Sequence, residues 1–139
     1  MSDRIPLSRN KIQEVAMQIM YSFLVCQRLG MVINIEQTIS DVLNEDYDKC
    51  DLYLKELIIK SLVNEIDTIA YLEPFLKKWK FHRLNYCVQS ILILSYTKYK
   101  HLNETNKSII IDIAVNLAKK YSDDEDYKFV NAVLDNCLL

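Results

Sequence analysis

One glycine and two prolines in 139 residues leave almost nothing from which to build tight turns. Hairpin turns draw on glycine for left-handed backbone and on proline for fixed φ, so an all-β fold is disfavoured and an all-α one expected. Long apolar runs are also missing. The longest, such as Ile91 to Leu94, extend about four residues, far short of a membrane span. Near the N-terminus Arg4, Arg9 and Lys11 are basic, but Gln13, Glu14 and Gln18 interrupt any apolar leader core, so no secretory signal is expected. Cys26, Cys50, Cys87 and Cys137 contain no CxxC pair, and His82 and His101 have no partner at ligand spacing, so no metal site is expected. The four thiols read as small buried apolar groups in a reducing compartment, which points to the cytoplasm. There is no phosphate-cradling glycine loop, no GxSxG and no Cys/His pair at a recognisable spacing. Nothing therefore suggests a catalytic residue, a cofactor or a small-molecule substrate, and the chain is not expected to be an enzyme.

What is present is apolar patterning and segregated charge. Half of the residues are hydrophobic, and the length suits one domain spanning residues 1–139. The formal charge of −2 argues against a simple basic nucleic-acid binder. Yet residues 34–72 carry nine acids and three bases, while residues 77–107 carry seven bases and one acid. That asymmetry allows one positive surface on an acidic protein.

Six helices can be read. The first runs from about Lys11 to Leu29, with Ser8 as a cap and Gly30 just past its end. A short one comes after Asn34. A long one begins after Asp48, burying Leu54, Leu57, Ile58, Leu62, Ile66 and Ile69, and stops at Glu73 before Pro74. A fourth begins near Arg83. In the first helix, at about 100° per residue, Ile12, Val15, Ala16, Ile19, Phe23 and Cys26 form one stripe. Met17 and Tyr21 lie roughly opposite it, either packed by another helix or kept for a partner.

The densest signal is Ala114 to Asp135, AVNLAKKYSDDEDYKFVNAVLD. Ala114, Leu117, Ala118 and Tyr121 repeat at the spacing of one buried helical face. Ser122 and Glu125 are spaced as a capping box, which predicts a helix start at residues 122–124. Asp123 and Asp124 add negative charge at the positive end of that helix.

This run, LAKKY, acidic turn, YKFVNAVLD, resembles the C-terminal signature of the NusB family of transcription antitermination factors. EVAMQIMYSFL (Glu14 to Leu24) and WKFHRLNYCVQSILIL (Trp79 to Leu94) resemble that family's first helix and its middle helix with the loop leading into it. The resemblance implies an all-α fold of about six to seven helices in two small three-helix-type bundles packed together. It implies binding of single-stranded boxA-type RNA of ribosomal transcripts together with NusE, a small-subunit ribosomal protein, within an RNA polymerase antitermination complex. Gln18 and Tyr21 match the family's first helix, and Lys119, Lys128, Phe129 and Asn131 match its C-terminal motif. Arg9, Lys11 and Lys120 complete the expected phosphate contacts, with Tyr21 as the stacking platform. Phe129 is expected in the core, and Asn131 is expected to serve buried backbone groups.

The chain departs from the family at several positions. The family Arg before Glu14 is Gln13, its Asp-Arg pair falls on Val88 and Gln89, and the Arg of its ILR motif is Ile93. A later Glu is Lys98, an Asn-Glu pair becomes Asp112-Ile113, and the Gly after FVN is Ala132. Lost arginines predict weaker phosphate binding than the family norm. Two other readings stand beside antitermination. One is an RNA-binding accessory module of a ribosomal RNA cytosine methyltransferase, which needs a separately encoded enzyme because the chain ends at Leu139. The other is a protein-interaction helical bundle that has lost RNA binding.

Overall fold

Short polar side chains set where most of the helices begin. Ser8 accepts the Lys11 N–H at 3.1 Å, Asn34 that of Gln37 at 2.9 Å, Asp51 that of Leu54 at 2.9 Å, Asn85 that of Val88 at 2.9 Å and Asn106 that of Ile109 at 3.2 Å. Each satisfies one of the orphan amides of a first helical turn. The computed structural model describes residues 7–139, so Arg4 lies outside it. Among the described residues there are seven α-helices and no strand: α1 (Arg9–Arg28), α2 (Ile35–Leu43), α3 (Leu52–Val63), α4 (Glu65–Leu72), α5 (Tyr86–His101), α6 (Lys107–Tyr121) and α7 (Asp126–Cys137). Single 3-10 turns sit at Tyr47–Lys49, Glu73–Leu76 and Phe81–Arg83. Gly30, at φ 68°, reverses the chain after α1 as expected.

α5 is the axis. Every residue from Cys87 to Lys98 is buried, and α1, α3, α4, α6 and α7 all pack on it. A helix buried on all sides belongs in the middle of a fold, and this one is shared by an N-terminal group with α1–α3 and a C-terminal group with α6 and α7. Ile12, Val15, Ala16, Ile19 and Phe23 of α1 supply its main apolar wall, and Cys50, Cys87 and Cys137 are buried thiols. No helix among the described residues is long and apolar enough to cross a membrane.

Two local expectations are corrected. The long third helix is two, because the Asn64 side-chain amide donates to the Lys60 carbonyl at 2.8 Å and the backbone leaves helical geometry there. The break rotates α4 relative to α3, so Ile66 is 84% exposed where a continuous helix was expected to bury it.

The capping box at Ser122 does not form. α7 starts at Asp126, and Glu125 precedes it without a side-chain cap, pairing instead with Lys128 at 2.9 Å. Asp126 does the reaching back: it takes the Asp123 N–H at 3.2 Å and the Ser122 hydroxyl at 2.5 Å. Of the boxes that four consecutive acidic residues offered, only this half forms, and Asp126 is also bound by Asn85 of the α5 cap, at 2.9 Å. Tyr121, expected in the core, is 38% exposed because α6 ends with it.

Candidate nucleic-acid interface

Lys11, Glu14, Gln18, Tyr21 and Arg28 succeed one another at three-, four- and sevenfold spacing, which places them on one face of α1. All but Glu14 are exposed along this face, and Glu14 is half-buried. The end of α6 meets it. Glu14 binds Lys120 directly and has Lys11 at 3.8 Å. The Lys120 hydrogen bond, reinforced by both lysine charges, holds the Glu14 carboxyl below its usual range. Two ammonium groups on one carboxylate leave a net positive spot at the head of the row.

Further along, Tyr21 stands 44% exposed, meeting Tyr86 edge-on with ring centroids 5.9 Å apart. Met17, its neighbour on the helical wheel, is buried against the Cys87 sulfur at 3.6 Å, so α5 covers Met17 and touches Tyr21 only through Tyr86. Tyr21, Tyr86 and Tyr121 line an open cleft of about 500 Å³, with Arg28, His82, Asn85 and Asp123 at its edges. Three aromatic rings with an arginine beside them suit flat unsaturated ligands, which stack on such rings.

The other expected contacts divide. Lys119 is exposed over the Tyr127 ring at 4.7 Å, and Lys128 is exposed beside Glu125, both on the α6–α7 side. Arg9 does not join the α1 row: its guanidinium lies 4.9 Å over the Tyr53 ring and 3.7 Å from Glu104. Phe129 is half-buried instead of fully core. Asn131 is exposed on α7, so it does not serve buried backbone groups. Sequence reasoning did not find Tyr86, His82 or Arg28. The only available signal was the excess of tyrosine, nine among fourteen aromatic residues.

Gln13, Gln89 and Ile93, three positions where the chain departs from the family pattern, are all buried. Gln13 accepts from the ammonium of Lys98 at 2.9 Å, and Lys98 is only 2% exposed. Residues 13 and 98 therefore form one buried polar pair. Tyr53 donates to Glu104 at 2.6 Å and Arg9 faces the same carboxylate, completing a polar cluster under the start of α1.

Burial holds the Lys98 pKa down to about 8, with Glu104 pulling it up and Arg9 pushing it lower. An exposed lysine sits near 10.5. Between these values the unfolded chain binds more protons than the folded one, so the destabilisation from Lys98 is full below pH 8 and disappears as pH rises. Urea denaturation of wild type and Lys98→Met should show it. From pH 7 to 10.5 wild type should gain on the order of 3 kcal/mol relative to the variant. A pH-independent difference would mean that Lys98 titrates in the folded protein as it does in the unfolded chain.

Helices wrapped on a central one, with an aromatic cleft open at the surface, define an all-α helical domain. Among the described residues no His, Cys, Asp and Glu cluster could hold a metal. The chain belongs to the NusB family, whose model matches residues 10–138. It is 35% identical over 136 residues to the transcription antitermination protein NusB of Ligilactobacillus salivarius, covering 95% of this chain and 98% of that one. The corresponding protein of Listeria innocua is 27% identical over 130 residues, covering 94% and 95%. The fold is that of Thermotoga maritima NusB, with a TM-score of 0.81 at 20% identity over 96% of this chain and 92% of that one. It is also that of NusB in a complex of the antitermination factors NusB and NusE with double-stranded RNA, with a TM-score of 0.78 at 20% identity over 94% and 95%.

Proposed function

We propose that this protein is a cytoplasmic transcription antitermination factor, in which residues 1–139 act as one RNA-binding domain without catalytic activity. Its ligand is single-stranded boxA-type RNA of ribosomal transcripts, held together with NusE within an RNA polymerase antitermination complex. The observation that carries this reading is the α1 row. Lys11 and Lys120 offer charge to phosphates, Gln18 offers hydrogen bonds, and Tyr21 leads into a cleft with two more tyrosines. Single strands are held in this way, by a basic track beside aromatic platforms.

The need for a second protein comes from charge. With −2 overall, the chain neutralises few phosphates alone, and two weak RNA surfaces joined bind far more tightly than either. A basic ribosomal protein also complements the acidic segment 34–72, which exposes Leu52, Val63 and Ile66.

The test is a salt-titrated binding assay with boxA-type RNA, with and without NusE. NusE should tighten binding at least tenfold and steepen the salt dependence. Equal binding without NusE, and no association with NusE at about tens of micromolar, would instead favour the methyltransferase accessory module. No RNA binding under either condition would leave only a protein-interaction bundle.

A further inference from the structure

Trp79, the single tryptophan of the chain, is 48% exposed just before the 3-10 turn that leads into α5. It lines a second cleft, of about 420 Å³, with Arg83, Val88, Glu125, Asp126 and the half-buried Phe129. Nothing in the fold accounts for so large an apolar ring at the surface. Leu84 and Asn85 line both this cleft and the tyrosine cleft, so the two open side by side around the start of α5.

The chemistry of the two walls differs. Asp126 takes Ser122, Asn85 and the Asp123 N–H, all on one carboxylate oxygen. The Glu125 carboxylate is exposed and held only by a surface ion pair with Lys128, which costs little to exchange. Arg83, which also lines the cleft, is exposed. An acidic wall repels phosphate, so it is the base that enters. Guanine presents two adjacent N–H donors, which a carboxylate accepts, and on its other edge O6 and N7 acceptors, which an arginine reads. Uracil offers a single N–H flanked by two carbonyls, which a carboxylate repels.

We infer that this cleft takes a second base of the same RNA strand, stacked on Trp79, with guanine preferred over uracil. The inference rests on the RNA-binding reading above and extends it to a base-selective subsite.

Trp79 supplies its own reporter. A labelled single-stranded RNA of mixed sequence is titrated into the full chain with NusE present. Anisotropy of the RNA tracks binding, and selectively excited tryptophan emission tracks the subsite, with emission from the NusE–RNA mixture alone subtracted. Trp79 emission should be quenched in step with the anisotropy. Trp79→Leu should weaken binding about five- to a hundredfold, the value of one base–aromatic stack, and Trp79→Phe should restore most of it. The same RNA with every guanine replaced by uracil should bind less tightly and quench less.

Binding seen by anisotropy, with Trp79 emission unchanged and Trp79→Phe and Trp79→Leu both as tight as wild type, would overturn the subsite and leave RNA binding standing. Equal quenching by the guanine-free RNA would overturn the base preference. Absence of any anisotropy change would overturn the subsite and the RNA-binding reading together. Trp79→Phe keeps the test decisive if Trp79→Leu fails to fold.

Discussion

Gln13→Arg is expected to destabilise the protein by about 3–5 kcal/mol, and Lys98→Glu introduced into that variant is expected to recover most of the loss. Position 13 is 4% exposed and faces the Lys98 ammonium, so an arginine there buries a second positive charge against the first. Uncompensated buried charge costs that much. Lys98→Glu alone should also destabilise, since it places a carboxylate near Glu104, whose oxygens already take Tyr53 and face Arg9. The double variant replaces the buried Gln–Lys contact with a pair of opposite charges. Urea denaturation of the four proteins gives the coupling directly, and it should reach at least 2 kcal/mol, near the top of the range for contacting pairs. Additive single-variant costs would show that the two positions do not communicate.

The second large effect concerns RNA. Tyr21→Ala should weaken RNA binding about five- to a hundredfold, the value of one stacked base. Its cost to stability should stay near 1 kcal/mol, because the ring is half exposed and its main neighbour is an edge contact with Tyr86. Lys11→Ala should behave differently, weakening binding evenly across sequences and lowering the salt slope by about one. Intact affinity in Tyr21→Ala, or an unfolded variant, would make Tyr21 a packing residue and remove the centre of the proposed interface.

The apolar stripe of α1, the poverty of glycine and proline and the pattern of caps made the helical fold readable from sequence alone. Ser8, Asn34 and Gly30 act where they were expected to. The failures share a cause. Helical periodicity says which face is apolar but not where a helix stops, and Asn64 and the run of acids at residues 123–126 each decide a boundary through one side-chain hydrogen bond among several possible ones. Tyr121 was misjudged for that reason, since a stripe residue on the last turn has nothing beyond it to cover it. The exposed row of α1 was readable because Tyr21 stands opposite an apolar stripe. Tyr86, His82 and Trp79 were not, because they come from a non-periodic segment whose exposure depends on how it crosses its neighbours. Burial of Gln13 and Lys98 was equally hidden, because polar residues are ordinarily surface residues and only their mutual contact shows otherwise.

Asn85 leaves none of its amide unused: its oxygen holds the Val88 N–H, and its nitrogen donates to Ser122 and Asp126. The wall between the two clefts is thus tied to α5 and to the α6–α7 turn before anything binds. A divider fixed in advance acts as a ruler. It sets how far apart two ligand rings must lie, and a strand has to adopt that spacing. In the proposed RNA complex the entropy of ordering at this wall would then fall mainly on the RNA. Selectivity in such an interface includes a term for how readily a given strand unstacks to the required step, separate from any hydrogen bond made to its bases.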